Sequence, residues 1–291
     1  MCQQKRILAI HDISCFGRCS LTVALPIISA VGIEVSVIPT ALLSTHTGGI
    51  PGYTYRDLSD DMLVITNHWQ SLDIKFDAIY SGFLGSSKQL DIVSKIFDTF
   101  AMSGQLIIVD PVMADNGLLY KSIPDTFPLE MRKLCQKADI ILPNMTEAML
   151  LLGEPYQKGP YTKRYIKELL KRLTALGPKQ IVITGVYFDN KTIGAASYDA
   201  VSDKTEFSFS YFVEGYYPGT GDVFGSVLVG SLLVGKSLTE SVRNAVDFTS
   251  ASIVRTNKAG TDMRFGVHFE MELPSLIQRL GRNKTEFLQT N

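Results

Sequence analysis

The chain has 291 residues, of which 45% are hydrophobic and 20% are charged, and its formal net charge is −1. This length and apolar content suffice to bury a sizeable core. The near-zero charge argues against broad electrostatic binding to nucleic acid or to an anionic membrane. No apolar stretch reaches the roughly 18 residues of a membrane span, and the first apolar run is too short for a secretory signal. We therefore expect a cytoplasmic protein that binds neither nucleic acid nor a membrane.

The cysteines and histidines form no recognisable metal-binding pattern. Cys15 and Cys19 are four residues apart, but no second pair completes a zinc site. Cys2 and Cys135 stand apart from them, and the four histidines show no HExxH-type spacing. We expect reduced cysteines and no permanent metal bound by imidazole.

Short apolar runs alternate with longer amphipathic segments along the chain. The predicted strands are RILAIHD, EVSVIPT, FDAIYSG, QLIIVDP, DIILPN and QIVITG. Helix-like segments lie near 20–31, 56–71, 88–103, 129–137, 145–152 and 161–176. Most of the strand runs are continuously apolar, as in a parallel sheet that is covered on both faces. The alternation predicts an α/β fold, a doubly wound and mostly parallel central sheet with helices on both faces.

Two segments break this alternation. TIGAASYD and EFSFSYFV are typical of an antiparallel strand pair late in the chain. Residues 44–57 are rich in Gly, Thr and Tyr, with turn chemistry and few core residues, which fits a flap over a site or a plain surface connection. No low-complexity linker divides the chain, so we expect one domain spanning residues 1–291.

Polar residues follow the predicted strands at the point where each strand ends. Ligands of open α/β sheets bind beyond these carboxyl ends. Each residue alone can be a turn or a helix cap, since DP and PN are ordinary turn dipeptides and NMTE fits a capping box. Together they predict a polar row at one edge of the sheet, formed by Asp12, Asp110, Asn144, Glu147 and Thr184, with Gly82, Phe83 and Gly185 at the same strand ends.

The stretch PGTGD precedes a long apolar segment that is interrupted by Gly and Ser, which favours a buried helix. Gly219, Thr220 and Gly221 would form a turn into that helix, which we expect to begin at about Asp222. Backbone N–H groups at such a turn point along the positive end of the helix dipole and bind phosphate oxygens. The stretch matches neither a Walker A motif nor a GxGxxG fingerprint after the first strand.

Asp222 has two readings at this position. An acid in the first turn of a helix contributes about 0.3–1 kcal/mol through the dipole. A catalytic base beside an anion site would instead accept a proton from a hydroxyl that attacks a phosphoryl group. A site that only bound phosphate would be disfavoured by a negative side chain. The combination therefore favours a kinase over a phosphate-binding module.

These motifs resemble the ribokinase superfamily, and most closely its pyridoxal kinases, over almost the whole chain. PGTGDVFGS resembles the anion-hole signature of the superfamily, and LLSTHTGG resembles a Ser-Asn-His-Thr stretch of the pyridoxal kinases. ILAIHDISCFG, YSGFLGS, VDPVMADNG, ILPNMTEAMLL and QIVITG follow in the order and spacing of that family. The resemblance implies ATP-dependent phosphorylation of the 5′-hydroxyl of a vitamin B6 vitamer, in B6 salvage, by a homodimer.

The resemblance also implies a role for each matching residue. Asp222 would be the catalytic base, and Gly219, Thr220 and Gly221 would form the anion hole. Asp110 and Glu147 would organise Mg²⁺, partly through water, and a monovalent cation such as K⁺ is a common requirement of the superfamily. The ATP-binding residues would be Asp115, Tyr120, Asn144, Thr184 and Gly185, with Asp115 and Tyr120 on a loop that covers ATP. The substrate-binding residues would be Asp12, His46, Thr47 and Phe83.

Two positions depart from the pyridoxal kinase pattern. That family usually has Ser at the position of Asp12 and often has Tyr at the position of Phe83. The hydroxymethylpyrimidine kinases carry an Asp in this first loop, but they generally have Cys in place of the anion-hole Asp. Asp12 therefore keeps a hydroxymethylpyrimidine kinase or a dual-specificity enzyme open, whereas Asp222 favours the pyridoxal kinases.

Two other classes of protein remain as alternatives. A non-catalytic kinase fold could store or sense pyridoxal phosphate or a nucleotide, although the intact GTGD motif argues against it. An oxidoreductase on a doubly wound sheet is disfavoured because the first strand is not followed by a glycine fingerprint.

Overall fold

The computed structural model describes residues 4–282. The strands are β1 (Arg6–Phe16), β2 (Glu34–Thr45), β3 (Tyr55–Asp57), β4 (Ala78–Ser81), β5 (Leu106–Val109), β6 (Ala114–Asp115), β7 (Leu118–Leu119), β8 (Ile140–Ile141), β9 (Gln180–Val186), β10 (Thr192–Asp199) and β11 (Lys204–Tyr211). The helices are α1 (Leu21–Ala30), α2 (Ser59–Ser71), α3 (Ser87–Thr99), α4 (Phe127–Cys135), α5 (Met145–Leu152), α6 (Lys163–Thr174), α7 (Thr220–Leu233), α8 (Leu238–Ala259) and α9 (Leu273–Arg279). Short 3₁₀ helices cover Met263–Phe265 and Glu270–Glu272.

Nine of these strands form one sheet within the described range, in the order β11-β10-β9-β8-β5-β4-β1-β2-β3. The neighbours from β9 to β2 pair in parallel. The pairs β9–β10, β10–β11 and β2–β3 are antiparallel. The prediction of a mostly parallel, doubly wound sheet is therefore confirmed, and the late antiparallel pair is β10 and β11.

Two apolar clusters cover the two faces of the sheet. The first joins the sheet to α2, α3, α4, α5 and α6, and Phe76, Phe97 and Phe127 are fully buried in it. The second joins the opposite face to α1, α7, α8 and α9. Every residue from Val223 to Ser231 of α7 is buried, so the apolar stretch after the glycine turn is a core helix. Along residues 4–282, no helix is long and apolar enough to cross a membrane.

The structure corrects the predicted ends of several elements. The first strand does not end at Asp12, because β1 continues to Phe16 and β2 continues beside it to Thr45. These extensions project past the end of β4, whose last residue, Ser81, pairs with Ile10. The 44–57 segment is not only a loop, since β3 pairs back on β2 from Leu43 to Ala41. The 22-residue helix α8 was absent from the predicted elements.

Candidate active site

The polar row lies along one edge of the sheet, as its position after the strands predicts. Adjacent strand ends are joined there by backbone hydrogen bonds, from Asp110 N to Ser81 O at 2.9 Å and from Thr184 N to Pro143 O at 3.0 Å. Gly82 N donates to Ile10 O at 3.0 Å, beside Asp12. The structure thus brings the predicted residues of β9, β8, β5, β4 and β1 together in sheet order.

The glycine turn places the start of α7 at this edge. Gly219 is the N-cap with φ of 78°, in the left-handed region, and a Cβ on it would overlap the carbonyl oxygen of Arg18. The helix begins at Thr220, two residues before the predicted start, and its first intrahelical bond joins Val223 N to Gly219 O at 3.0 Å. The N–H groups of the first turn have no acceptor within the helix and can bind an anion.

Asp222 lies in this first turn and is half-buried. Its Oδ2 accepts hydrogen bonds from Ser20 N at 2.8 Å and from Cys19 Sγ at 3.3 Å. Burial raises the pKa of Asp222, and these two donors and the nearby His46 act in the opposite direction. A half-buried carboxylate with a raised pKa beside an anion-binding turn has the properties of a general base.

Asp12 faces Asp222 from β1. Its side chain is buried, its Oδ2 accepts a hydrogen bond from Ser14 Oγ at 3.3 Å, and its Oδ1 has no partner among the described residues. Burial raises the pKa of Asp12 to about 6, and the negative charge of Asp222 adds to this effect, while Ser20 and Ser14 oppose it. Strand β1 therefore carries a buried acid whose pKa is raised to about 6.

Asp110 and Glu147 form a second group of acids on the other side of Asp222. Burial, followed by the charges of Glu147 and Asp222, raises the pKa of Asp110 well above its usual range. Burial also raises the pKa of Glu147, to about 8. Glu147 accepts backbone hydrogen bonds from Asn144 N at 2.8 Å and Met113 N at 3.1 Å, whereas the described residues donate none to the Asp110 carboxylate. In residues 4–282, no group of three or more acids, histidines or cysteines is placed to hold a metal ion.

Asn144 is the N-cap residue of α5. It forms a capping box with Glu147, in which Asn144 Oδ1 accepts from Glu147 N at 3.0 Å. Asn144 Nδ2 donates to Ala114 O at 2.8 Å. Both ends of the Asn144 amide are thus occupied by backbone groups, so NMTE is the capping box that its sequence permits.

The segment of Asp115 and Tyr120 is a small hairpin of β6 and β7 rather than an irregular loop. Asn116 and Gly117 form its turn with φ of 52° and 83°, as an Asn-Gly pair favours. The Asp115 carboxylate accepts a hydrogen bond from Asn116 N at 2.8 Å, and Tyr120 N donates to Met113 O at 3.0 Å. The hairpin lies beside α5, because Gly117 N donates to Thr146 Oγ1 at 3.0 Å.

Thr184 and Gly185 lie at an irregularity between β9 and β10. The register shifts there, with Thr184 opposite Ala195 and Val186 opposite Gly194. Gly185 is left between them with φ of 71° and is exposed. In the described part of the chain nothing lies within 4 Å of a Cβ built on Gly185, so its backbone is open to a ligand.

His46 and Thr47 lie where the flap begins, at the end of β2. His46 is buried, its Nδ1 accepts from Gly48 N at 3.1 Å, and its Nε2 donates to the carbonyl oxygen of Arg264. Both ring nitrogens are therefore occupied, and His46 links the segment after β2 to the 3₁₀ helix Met263–Phe265. Thr47 is exposed, and Phe83 is half-buried at the end of β4.

Four residues of this site were absent from the sequence prediction. Cys19 and Ser20 bind Asp222, and Tyr55 of β3 and Tyr216 reach the same region. A Cβ on Gly85 would lie 2.5 Å from Tyr55 Oη and 3.8 Å from the Phe83 ring. A Cβ on Gly48 would lie 3.3 Å from Tyr216 Oη. HDISCFGRCS does place Cys19 and Ser20 after Asp12, but only the turn of the chain brings them to Asp222.

The parallel sheet, the acids at its edge and the glycine turn of α7 define a ribokinase-like phosphotransferase that acts on an alcohol group. A family model described as phosphomethylpyrimidine kinase matches residues 25–266. The chain belongs to this family, and within it to the pyridoxal kinases.

Individual relatives support this assignment. The pyridoxal kinase of Lactobacillus plantarum is 32% identical, has a TM-score of 0.86, and its match covers 95% of this chain and 98% of that one. A Bacteroides thetaiotaomicron protein that carries the phosphomethylpyrimidine kinase name, in a crystal form with pyridoxal, is 40% identical with a TM-score of 0.90. That match covers 94% of this chain and 96% of the other. The pyridoxal kinase of Dictyostelium discoideum is 27% identical over 78% of each chain.

Proposed function

We propose that the protein transfers the γ-phosphoryl group of ATP to the 5′-hydroxyl of a vitamin B6 vitamer, which is pyridoxal, pyridoxine or pyridoxamine, in B6 salvage. The observation that carries the proposal is the Asp222 carboxylate in the first turn of α7, next to the Gly219 turn. An anion-binding turn and a base at one point are what phosphoryl transfer to an alcohol requires. The pyridoxal-containing relative supports the choice of substrate.

Each group of residues at the sheet edge has a distinct role in the proposed reaction. The substrate ring lies between Asp12 and Phe83, under the flap that begins at His46 and Thr47. Asp222 Oδ1 accepts the proton of the 5′-hydroxyl as its oxygen attacks the γ-phosphorus, the bond from that phosphorus to the β,γ-bridging oxygen breaks, and ADP leaves. The first-turn N–H groups of Thr220 and Gly221 stabilise the charge on the transferred group. The ATP phosphates extend along the edge toward Thr184, Gly185 and the Asp115–Tyr120 hairpin.

The acids on the ATP side fit a Mg²⁺ ion. Asp110 is buried, receives no hydrogen bond from the described residues, and faces the like charges of Glu147 and Asp222. A divalent cation would relieve this repulsion, and Mg²⁺ commonly binds through one or two carboxylates, several waters and substrate phosphates. Asp110 would hold the ion directly and Glu147 through water, and the ion would neutralise phosphate charge.

The Asp12 carboxyl is the specific observation that favours a second candidate, a hydroxymethylpyrimidine kinase. The family model that matches the chain carries a phosphomethylpyrimidine kinase name, in line with this alternative. An ionised Asp12 accepts a hydrogen bond and can pair with a protonated pyridine nitrogen. The acid is therefore compatible with both substrates, whereas Asp222 in the anion hole favours the B6 vitamers.

Steady-state assays with purified protein, ATP and Mg²⁺ test the proposal. The three B6 vitamers and hydroxymethylpyrimidine are compared at equal concentration, and the phosphorylated products are separated by chromatography. We expect turnover of at least one B6 vitamer, with a higher kcat/KM than for hydroxymethylpyrimidine. Turnover of hydroxymethylpyrimidine alone would overturn the proposal. Replacing K⁺ by tetramethylammonium in the same assay tests the K⁺ dependence.

We also propose that the enzyme is a cytoplasmic homodimer. The extensions of β1 and β2 expose apolar side chains, with Phe16 55% and Leu42 40% accessible. Such residues on two projecting parallel strands provide an apolar surface that a second copy can cover.

A further inference from the structure

The turn Gly17–Ser20, which follows β1, contacts the Asp222 carboxylate at its Oδ2 atom. Ser20 N and Cys19 Sγ both donate to the same oxygen, Asp222 Oδ2, at 2.8 Å and 3.3 Å. Within residues 4–282 no group donates to Asp222 Oδ1. The two oxygens of one carboxylate therefore have different surroundings, one held by the protein and one open to a ligand.

The turn is held firmly against α7. Ser20 has a φ of 54°, which is rare for a residue with a side chain and persists only where neighbours enforce it. Thr22 Oγ1 donates to Cys19 O at 2.8 Å, and Arg18 N donates to Phe265 O at 3.0 Å. The Arg18 carbonyl oxygen lies so close to Gly219 that a Cβ on this residue would overlap it. The donors to Asp222 Oδ2 are thus fixed relative to the anion-binding turn.

Cys19 acts toward Asp222 as a hydrogen-bond donor. Burial, followed by the charges of Asp222 and Asp12, raises the pKa of the Cys19 thiol well above its usual range. The thiol therefore keeps its proton and donates it in a hydrogen bond to the carboxylate. Ser20 Oγ in turn donates to Cys19 Sγ at 3.9 Å. The Cys19–Ser20 pair thus supplies both donors that hold Asp222 Oδ2.

We propose that Cys19, together with the Ser20 backbone N–H, is a positioning residue that holds Asp222 Oδ2 and directs Oδ1 toward the substrate hydroxyl. Without the thiol, the carboxylate would face the like charges of Asp12 and Asp110 with one donor instead of two. The inference rests on the proposed function only in taking Asp222 as the base.

Kinetics of Cys19 variants test the positioning role. Cys19→Ala removes the donor, and we expect kcat to fall about three- to tenfold, as for the loss of one weak hydrogen bond to a charged group. The KM values for ATP and for the alcohol substrate stay within about twofold, because the thiol acts through Asp222. Cys19→Ser keeps a donor and recovers most of the lost turnover. The matched control is Cys15→Ala, which removes an exposed thiol of β1.

A double-mutant cycle separates positioning from a structural role. In an Asp222→Asn background, Cys19→Ala is expected to change kcat by less than about twofold, since the contact is already altered. An equal loss in both backgrounds would overturn the proposal. The proposal would also be overturned if Cys19→Ser were as impaired as Cys19→Ala, or if Cys19→Ala were fully active.

A spectroscopic measurement does not depend on Cys19→Ala folding or on the identity of the substrate. The infrared S–H stretching band of Cys19 is identified by its loss in Cys19→Ser, and we expect it at higher frequency in Asp222→Asn than in the wild type. An unmoved band would overturn the contact. If the wild-type enzyme phosphorylates an alcohol other than a B6 vitamer, the proposed function fails, and the same variants are measured with that alcohol.

Discussion

At the scale of single residues, Asp12 and Asp222 show how two carboxylates in one site acquire different properties. Burial raises the pKa of both. Asp222 receives two donors on one oxygen, whereas Asp12 Oδ1 has no partner in the described part of the chain. In the proposed function, Asp222 takes the proton of the substrate hydroxyl, and Asp12 faces the bound ring.

Replacing Asp222 by Asn tests the role of the base. Asn keeps the size of the side chain but cannot accept the hydroxyl proton, so we expect kcat to fall at least about 100-fold. The Kd for ADP, measured by calorimetry, stays within about threefold. The control is Asp61→Asn, an exposed acid on α2. Unchanged turnover would remove Asp222 from the chemistry, and a non-catalytic binder would show no turnover even as wild type.

Asp12→Asn tests the pKa of the buried acid through stability. Burial raises the pKa of Asp12 from 3.8 to about 6, so the folded state retains a proton that the unfolded state has lost. Stability that this proton contributes at low pH is lost as the pH rises from about 4 through 6, by about 3 kcal/mol at roughly 1.36 kcal/mol per pKa unit. Asp12→Asn removes this ionisation, so the stability of the variant relative to wild type rises by about the same amount between pH 4 and pH 7.

Urea denaturation of the ligand-free protein at pH 4, 5, 6, 7 and 8 measures the effect. The difference in unfolding free energy between Asp12→Asn and wild type is expected to grow with pH and to flatten above about pH 7. Asp61→Asn serves as the control on an exposed site. A difference that is the same at every pH would show that Asp12 does not titrate in this range.

At the scale of elements, the start of α7 depends on two glycines for different reasons. Gly219 has φ of 78° and no room for a Cβ beside Arg18 O. Gly221 is already inside the helix, and no described atom lies within 4 Å of a Cβ built on it. Gly219 is required by the backbone conformation, whereas Gly221 would leave the proposed anion site unobstructed.

A pair of alanine substitutions separates these two roles. Gly219→Ala is expected to lower the unfolding free energy by at least about 1–2 kcal/mol, because a side chain is strained at positive φ and overlaps the Arg18 carbonyl. Gly221→Ala, in the helix, changes it by less than about 1 kcal/mol. Chemical denaturation of both variants provides the measurement. Equal losses at the two positions would contradict the geometry of the turn.

At the scale of the whole molecule, the projecting strands beyond the sheet edge predict a self-association surface. Leu42→Glu places a charge on the exposed face of β2 and is expected to dissociate the proposed homodimer. Sedimentation velocity at several protein concentrations distinguishes the two states. Val64→Glu is the matched control, since Val64 is 68% exposed and belongs to α2 rather than to these strands. A wild-type protein that sediments as a monomer at all concentrations would contradict the dimer.

Much of the architecture could be predicted from local sequence patterns. Continuous apolar runs such as LIIV and amphipathic segments between them are local signals, and they correspond to β5 and to the helices on both faces. Helix α8 was missed, and the end of β1 was placed four residues too early at Asp12. Pairing with β2 extends β1 to Phe16, and such pairing depends on a partner distant in the sequence.

The amino-acid sequence by itself determined the fold class, the row of polar residues at the strand ends and the glycine turn with Asp222. These features follow from short-range patterns and from the general geometry of parallel sheets. Only the tertiary structure decided how the side chains are used. In the folded chain, His46 links the segment after β2 to Arg264, and backbone groups occupy the Asn144 amide. Cys19 lies within hydrogen-bond distance of Asp222. The reason is physical, since these contacts join residues up to 218 positions apart, and no local pattern records them.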